Sequence, residues 1–240
     1  AIAAYDGRET APAAATPTLF LTGAGEPMGF WDAVVGGRSV GVPGLLRMFE
    51  LVHRAHGRLP WATLFEPAIA LAENGFAVSP RLHALIAEDK YLTTFPATAA
   101  YFTDAAGAPL AVGTLLRNPA FAETLRRIAR NGADAFYSGP IAEAIVAAVQ
   151  GAVPNPGGLS LADLAGYQAK RRDALCAPYR EWRVCGMPPP TSGGVATLQI
   201  LGLLQRFDLP AMAPHSAEAW HLITEASRLA FADRDRFLGD

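Results

Sequence analysis

The hydrophobic pattern of the chain is helical over most of its length. Between residues 45 and 56 apolar side chains recur every three or four positions, as on one face of an α-helix, and Gly57 follows as the expected stop. In a second helix, expected over 61–74, Pro67 is expected to break the helix or shift its start. The same period predicts helices over 61–74, 80–89, 195–206 and 216–237, and helices that begin at Pro119 and at Pro140.

Capping residues support two of these starts and mark a third. Ser79 and Asn118 each precede a proline, so each is expected to cap a helix whose first position is that proline. Ser160 and Asp163 have the spacing of a capping box. These signals place helix starts more sharply than periodicity does.

Strand patterns are few. Residues 30–35 (FWDAVV) favour a strand, and residues 179–187 alternate polar and apolar side chains until three prolines end the pattern. Residues 1–29 favour loop with one short strand, and residues 36–44 a glycine-rich turn region. We expect a helix-rich α+β chain, with residues 1–240 as a single unit and no clear internal boundary.

Composition narrows the function classes. The 240 residues are 51% hydrophobic and 18% charged, which is typical of a folded chain with a sizeable core. A net charge of −2 argues against a protein that binds nucleic acid through its phosphates. No apolar run approaches the roughly 18 residues that a membrane span needs, so we expect no span.

Two cysteines, Cys176 and Cys185, lie nine positions apart. They match neither a disulfide framework nor a zinc pattern. Two ordinary thiols are the default expectation, and a local disulfide is the alternative if the compartment is oxidising.

A serine nucleophile is one candidate for chemistry. Gly37–Gly41 matches the G-x-S-x-G pattern around Ser39, and the strand expected before it would suit a nucleophile elbow. Pro43 and Gly44 stand where the helix of the elbow should already run, so an incidental serine in a turn is the competing interpretation. A serine hydrolase that uses Ser39 therefore remains an alternative function.

Other polar groups favour structural roles. His53 and His56 could face one metal ion from one helix, but no carboxylate or thiol lies at ligand spacing nearby, so no metal is expected. The alternating charges of residues 233–236 favour a local salt-bridge network. Thr191–Gly194 precedes a helix and either binds an anion or makes a tight turn that lets backbone pack closely. Arg8 is either a solvated charge or a bidentate grip on a carboxylate.

Several segments together resemble the large subunit of the gamma-glutamyltranspeptidase family. The resemblance runs from one end of the chain to the other. The matching segments are DGRETAPAAAT (6–16), GVPGLL (41–46), HGRLPWATLFEPAIALAENGFAVS (56–79), NGADAFYSGPIAEAIV (131–146), GGLSLADLAGY (157–167), MPPPTSGGVATLQILGLL (187–204) and EASRLAFADRDRFLGD (225–240).

The resemblance implies an N-terminal-nucleophile hydrolase with an αββα sandwich, of which this chain would be a helix-rich part. Such an enzyme is made as a precursor that cuts itself into a large and a small subunit. The N-terminal threonine of the small subunit attacks the gamma-glutamyl carbonyl and forms an ester, which water or an acceptor amine then cleaves. No metal or organic cofactor is implied. Arg8 matches the arginine of the R-E-x-A-P motif, which binds the α-carboxylate of the donor.

The resemblance also defines what this sequence does not contain. The catalytic threonine would lie on the small subunit, beyond Asp240, and further strands would precede the R-E-x-A-P motif. We therefore expect an interior piece of the large subunit, inactive alone, whose catalytic partner is the small subunit. The family suggests a periplasmic or secreted location, with the signal segment upstream of Ala1. The alternatives are a related threonine acylase of the cephalosporin acylase kind and a non-catalytic fragment.

Overall fold

A computed structural model describes residues 2–239. Helices dominate, and the strands form three two-stranded antiparallel sheets, β1 with β4, β2 with β3 and β5 with β6. The helices are α1 (Phe30–Val34), α2 (Leu45–His56), α3 (Glu66–Asn74), α4 (Pro80–Glu88), α5 (Pro96–Phe102), α6 (Pro119–Asn131), α7 (Asp134–Tyr137), α8 (Gly139–Gln150), α9 (Leu161–Gly166), α10 (Gly193–Leu204) and α11 (Ala217–Phe237). The strands are β1 (Ala3–Asp6), β2 (Phe76–Ala77), β3 (Leu115–Leu116), β4 (Lys170–Asp173), β5 (Leu175–Tyr179) and β6 (Trp182–Gly186).

Contacts group the described residues into two compact units that the sequence pattern does not mark. We call residues 9–168 the helical unit. Residues 2–8 and 169–239 form the second, which we call the hairpin unit after its β5–β6 hairpin.

The expected caps form in the helical unit. The side-chain oxygens of Ser79 and Asn118 accept hydrogen bonds from backbone N–H groups two to three positions into α4 and α6. Ser160 and Asp163 make the reciprocal bonds of a capping box at α9. In each case the sequence predicted the start because a side chain replaces a backbone acceptor that the first turn lacks.

The predicted helix over 61–74 is divided as the proline suggested. A 3₁₀ turn covers Trp61–Phe65, and α3 begins at Glu66 with Pro67 in its first turn. Proline fits the first turn of an α-helix because its missing N–H would have no partner there.

The strand predicted over residues 30–35 is wrong, because residues 30–34 form the short helix α1. The amide nitrogen of Asn155 donates to the carbonyls of Asp32 (2.6 Å) and Val35 (3.0 Å). Asn155 lies in a distant part of the helical unit, and its side chain satisfies carbonyl groups at the end of the turn. The local apolar pattern of residues 30–35 does not show this interaction.

The core of the helical unit centres on Tyr137, which is 1% exposed. Its ring stacks on that of Tyr167 at 6.1 Å, and the guanidinium of Arg47 lies 4.4 Å from its centroid on a face of the ring. Its hydroxyl donates to the carbonyl of Pro43 (2.8 Å) and accepts from the N–H of Arg47 (3.2 Å). The turn before α2 is thereby fixed to the middle of the core.

In the hairpin unit the strand predicted over 179–187 is confirmed over residues 182–186, which form β6, but its first residues are the end of β5 and the turn of a hairpin. The chain reverses at Arg180, whose φ is +54°, and the hairpin packs on α10. Arg180 donates from its backbone N–H to Gln205 Oε1 and from its guanidinium to the carbonyl of Phe207, both at 3.2 Å. The tip of the hairpin is therefore held at the end of α10.

Cys176 and Cys185 are paired in register across this hairpin and are joined by a disulfide. The default expectation of two thiols is wrong for this structure, and the alternative of a local disulfide is seen. The sequence spacing could not decide the matter because it does not show that the two positions face each other.

Candidate functional site

The candidate site is the segment that carries Arg8, and its first anchor lies in the hairpin unit. β1 ends at Asp6, which is paired in register with Lys170 of β4. Asp6 Oδ1 accepts the backbone N–H of Arg8 at 3.0 Å, and Asp6 Oδ2 accepts Nε of Arg172 at 2.7 Å. The carboxylate therefore fixes the backbone two residues beyond the strand, where Arg8 itself is exposed.

Asp6 is charged in this setting. Burial by itself would raise the pKa of the carboxyl group, which belongs to a residue only 8% exposed. The hydrogen bonds from Arg8 and Arg172, with the positive charges of Arg172 and Lys170, outweigh burial and hold the pKa of Asp6 below its ordinary value. The cationic side chains of Arg172 and Lys170 thus stabilise this carboxylate within the hairpin unit.

The residues after Arg8 are anchored within the helical unit. Thr10 and Val42 exchange backbone hydrogen bonds of 3.3 and 2.8 Å. Three residues further on, the N–H of Ala13 donates to Asp163 Oδ1 at 2.9 Å. Val42 is 2% exposed, and the next residue, Pro43, accepts the hydrogen bond of the Tyr137 hydroxyl. The contact between Thr10 and Val42 therefore joins this segment to the core of the helical unit.

Gly41 permits the close approach of this segment. A methyl group at Gly41 would lie 3.1 Å from Glu9 Cγ and 3.1 Å from the carbonyl oxygen of Thr10. Such distances are shorter than ordinary van der Waals contacts, so the glycine belongs to the packing of the R-E-x-A-P segment. The sequence marked Gly41 as part of a glycine-rich turn, of the G-x-S-x-G pattern and of the segment GVPGLL, but not as a packing position.

The remaining candidates are not brought to this segment. Ser39 donates from its hydroxyl to the carbonyl of Val34 (2.7 Å), and the element before it is a helix, so the strand that a nucleophile elbow requires is not there. The Nε2 atom of His53 lies 2.8 Å from the carbonyl of Leu59. Within residues 2–239 no group of three or more His, Cys, Asp or Glu side chains is placed to hold a metal ion.

The other two candidates have structural roles in the hairpin unit. Of the salt-bridge network expected over residues 233–236, the ion pair between Arg234 and Asp235 (2.7 Å) is seen, whereas Asp233 accepts a hydrogen bond from the uncharged Gln199 of α10. Gly194 packs so closely on Met187 that a methyl group there would lie 2.1 Å from the carbonyl of that methionine. The second of the two glycines after the prolines, Gly194, therefore serves close backbone packing.

Sequence reasoning missed Asp6, Thr10 and the second role of Asp163. Asp6 stands two positions before Arg8, a spacing at which an aspartate can accept the later N–H, and that was the available signal. The other two anchors join positions far apart in sequence, and no local pattern marks them.

The described part of the chain contains no helix long and apolar enough to cross a bilayer. Its fold class is α+β, and the solved structures that resemble it are N-terminal-nucleophile hydrolases. The profile of the gamma-glutamyltranspeptidase family matches residues 1–240, and the chain belongs to that family.

Two curated relatives and one solved structure show the extent of the similarity. The glutathione hydrolase proenzyme of Escherichia coli K12 is 37% identical over 99% of this chain and 40% of its own length. The acylase ACY 1 proenzyme of Pseudomonas sp. SE83 is also 37% identical, over 84% of this chain and 36% of its own length. The crystal structure of Helicobacter pylori gamma-glutamyltranspeptidase superposes with a TM-score of 0.92 and 32% identity, over 98% of this chain and 67% of that one. The chain thus spans about 40% of the length of the curated relatives it matches.

Proposed function

We propose that the chain is the large-subunit part of a gamma-glutamyl transferase or hydrolase, and that Arg8 binds the α-carboxylate of the donor. The observation that carries the proposal is the family match over residues 1–240, which includes the R-E-x-A-P motif at Arg8. The geometry supports it, because Asp6 fixes the backbone N–H of Arg8 and Thr10 is fixed to Val42. A planar, permanently charged guanidinium suits a donor recognised by a free carboxylate.

In the proposed reaction the threonine hydroxyl of the small subunit attacks the γ-carbonyl carbon of the donor. Its proton passes to the α-amino group of the same threonine and from there to the leaving nitrogen, so that the C–N bond breaks with release of a neutral amine. The ester that remains is cleaved by water in hydrolysis or by an acceptor amine in transfer. The role of this chain is to hold the donor in register for that attack, and no cofactor enters the scheme.

A small-subunit partner is supported by apolar side chains that the described residues leave exposed. Leu45 and Phe49 lie one turn apart on α2 and are 56% and 49% exposed. Trp220 and Phe231 of α11 are 52% and 54% exposed, and their separation of eleven residues returns them to one face of that helix. Apolar patches of this kind mark surfaces that another chain covers.

A related threonine acylase is the second candidate. It is favoured by one observation, namely that the Pseudomonas acylase proenzyme is as similar in sequence as the glutathione hydrolase proenzyme, at 37% identity each. The two candidate functions are separated by comparing how fast the complete enzyme cleaves gamma-glutamyl anilides and amides of other acids. Preference for an acyl group without the free α-carboxylate would favour the acylase.

The periplasmic or secreted location expected from the family is also proposed here. The Cys176–Cys185 disulfide supports it, because disulfides persist in oxidising compartments and are rare in the cytosol.

Arg8→Ala and Arg8→Lys in the complete enzyme test the assignment of Arg8. Each should impair mainly donor binding, by on the order of 2–4 kcal/mol, because the donor carboxylate would lose its charged partner in Arg8→Ala and its bidentate fork in Arg8→Lys. The measurement is KM for a gamma-glutamyl anilide and, as a control, for a 4-aminobutyryl anilide, which has no α-carboxylate. An unchanged donor KM in Arg8→Ala would overturn the assignment.

The chain alone is proposed to have no transferase activity. Adding the small subunit should restore anilide cleavage if the chain is the large-subunit part of the enzyme, and should not if it is a non-catalytic fragment. Activity in the chain alone that Ser39→Ala abolishes would instead support a serine hydrolase. A monodisperse monomer with a sharp thermal transition would contradict the proposed need for a partner.

A further inference from the structure

Asp6 is the charged residue buried in the described part of the chain, at 8% exposure. Burying a carboxylate is costly unless charged and hydrogen-bonding partners replace its hydration. The same strand position filled by an apolar residue would carry no such cost. A buried charge at the end of β1 therefore calls for a reason other than packing.

The partners of Asp6 suggest that reason. One oxygen, Oδ2, is bound to Arg172 Nε at 2.7 Å, which neutralises the charge. The other oxygen, Oδ1, is directed to the backbone N–H of Arg8 at 3.0 Å. Arg172 thus orients the carboxylate, and the oriented carboxylate fixes the backbone of Arg8.

We propose that Asp6 is a positioning residue for the donor, acting through Arg8, and that Arg172 in turn positions Asp6. The proposal rests on the proposed function, since it assumes that Arg8 grips the donor α-carboxylate. The guanidinium stands at the end of a long side chain, so a rotation of the Arg8 backbone moves it farther than it moves the Cα atom. Displacements of about 1 Å at a substrate-positioning group can cost about 100-fold in rate.

The charges around Asp6 are consistent with a nearby anionic substrate. A lone carboxylate would repel the donor, but Arg172 pairs with Asp6, and Lys170 lies opposite it in the β1–β4 register. The cluster within the hairpin unit therefore does not add net negative charge beside Arg8. Removal of the Asp6 carboxylate should therefore harm the enzyme because Arg8 loses its orientation, and not because the net charge beside Arg8 changes sign.

The test uses the complete enzyme and the variants Asp6→Asn, Asp6→Asn with Arg172→Met, and Asp173→Asn. In Asp6→Asn the amide nitrogen meets either Arg172 or the Arg8 N–H, so one donor faces another donor. In the double variant the guanidinium is gone, and the amide oxygen is free to accept the Arg8 N–H again. Asp173→Asn removes an exposed carboxylate from the partner strand and serves as the matched control.

Asp6→Asn should raise KM for the gamma-glutamyl anilide by roughly 10-fold to 100-fold, the range for a hydrogen bond to a charged group, with a smaller change in kcat. KM for the 4-aminobutyryl anilide should not change. The double variant should recover most of the loss, and Asp173→Asn should behave as the unaltered enzyme. This pattern follows only if Asp6 acts through the grip of Arg8 on a carboxylate.

Other outcomes overturn the proposal in distinguishable ways. Equal losses with both anilides, without rescue in the double variant, would mean that Asp6 only stabilises the fold. Unaltered kinetics in Asp6→Asn, with a raised donor KM in Arg8→Ala, would overturn the positioning role alone. An unaltered donor KM in Arg8→Ala would overturn the assignment of Arg8, and the positioning role with it.

Discussion

Cys176 lies directly opposite Cys185 in the antiparallel β5–β6 hairpin, and a disulfide joins the two residues across it. The bond closes a loop of nine positions whose tip, at Arg180, is already tied to the end of α10. At the other end, Gly186 approaches Gly194 so closely that a methyl group on Gly186 would lie 2.8 Å from the Gly194 Cα. The disulfide therefore reinforces a hairpin that is fixed to α10 at both ends.

Loss of this bond should reduce stability but not activity. The double variant Cys176→Ser with Cys185→Ser should lower the free energy of unfolding by about 2–3 kcal/mol, the value expected for a short closed loop. Thermal unfolding of the complete enzyme, with and without a phosphine reductant, measures the effect. The reductant should lower the melting temperature of the unaltered enzyme and leave the double variant unaffected; equal melting temperatures in all four samples would contradict the prediction.

Two glycines of α10 should respond oppositely to alanine. At Gly194 an added methyl group would lie 2.1 Å from the Met187 carbonyl, so Gly194→Ala should destabilise by about 2–4 kcal/mol through overpacking of backbone. At Gly202 an added methyl group would have no atom within 4 Å, so Gly202→Ala should stabilise by about 0.5–1 kcal/mol through helix propensity. Urea denaturation compares the two, and similar effects of both variants would refute the close packing at Gly194.

The helices could be predicted from the sequence because their signals are local. The starts of α4, α6 and α9 each depend on a capping side chain within three residues, and the structure confirms all three. The prediction failed for α1 because a contact from Asn155, more than a hundred positions away, ends that turn. At 179–187 it found β6 but began the strand too early, because the alternation continues through the reversal at Arg180.

Arg8 could be singled out from the sequence, but its surroundings could not. A motif names the residue type, whereas the Asp6 carboxylate that fixes the Arg8 backbone is itself bound by Arg172, which lies 166 positions beyond Asp6. Asp163 shows the difference well: the capping box with Ser160 was predictable, and the bond from Ala13 to the same carboxylate was not.

The bond between Ala13 and Asp163 should contribute to stability beyond the cap. Ser160→Ala removes the cap and the hydroxyl bond to Asp163 Oδ2, and should cost about 1 kcal/mol. Asp163→Ala keeps the cap, whose donor is a backbone N–H, but removes the acceptor of the Ser160 N–H, of the Ser160 hydroxyl and of the Ala13 N–H, and should cost about 1–2 kcal/mol more. Urea denaturation of both variants gives the difference, and equal losses would show that the tether to Ala13 contributes nothing.

Asp163 should also make stability depend on acid pH. Its hydrogen bond from the Ser160 hydroxyl, followed by that from the Ala13 N–H, holds the pKa of the carboxyl below its ordinary value. A depressed pKa in the folded state means that the unfolded chain binds the proton first as pH falls. The stabilisation is therefore present above the unfolded pKa of about 4 and is lost as pH falls through the folded pKa. The slope of unfolding free energy between pH 5 and 3 should be smaller in Asp163→Ala, and an unchanged slope would contradict this.

Tyr137→Phe should loosen the start of α2 without creating a large cavity. The variant keeps the ring that packs on Tyr167 and Arg47, but the carbonyl of Pro43 and the N–H of Arg47 both lose their partner. Leaving buried polar groups unpaired costs about 1–3 kcal/mol, so the free energy of unfolding should fall by that amount. Tyr101→Phe is the matched control, since Tyr101 lies outside this network. Hydrogen exchange should show faster exchange of the Arg47 amide in Tyr137→Phe only; equal exchange in both variants would mean that the hydroxyl does not anchor this turn.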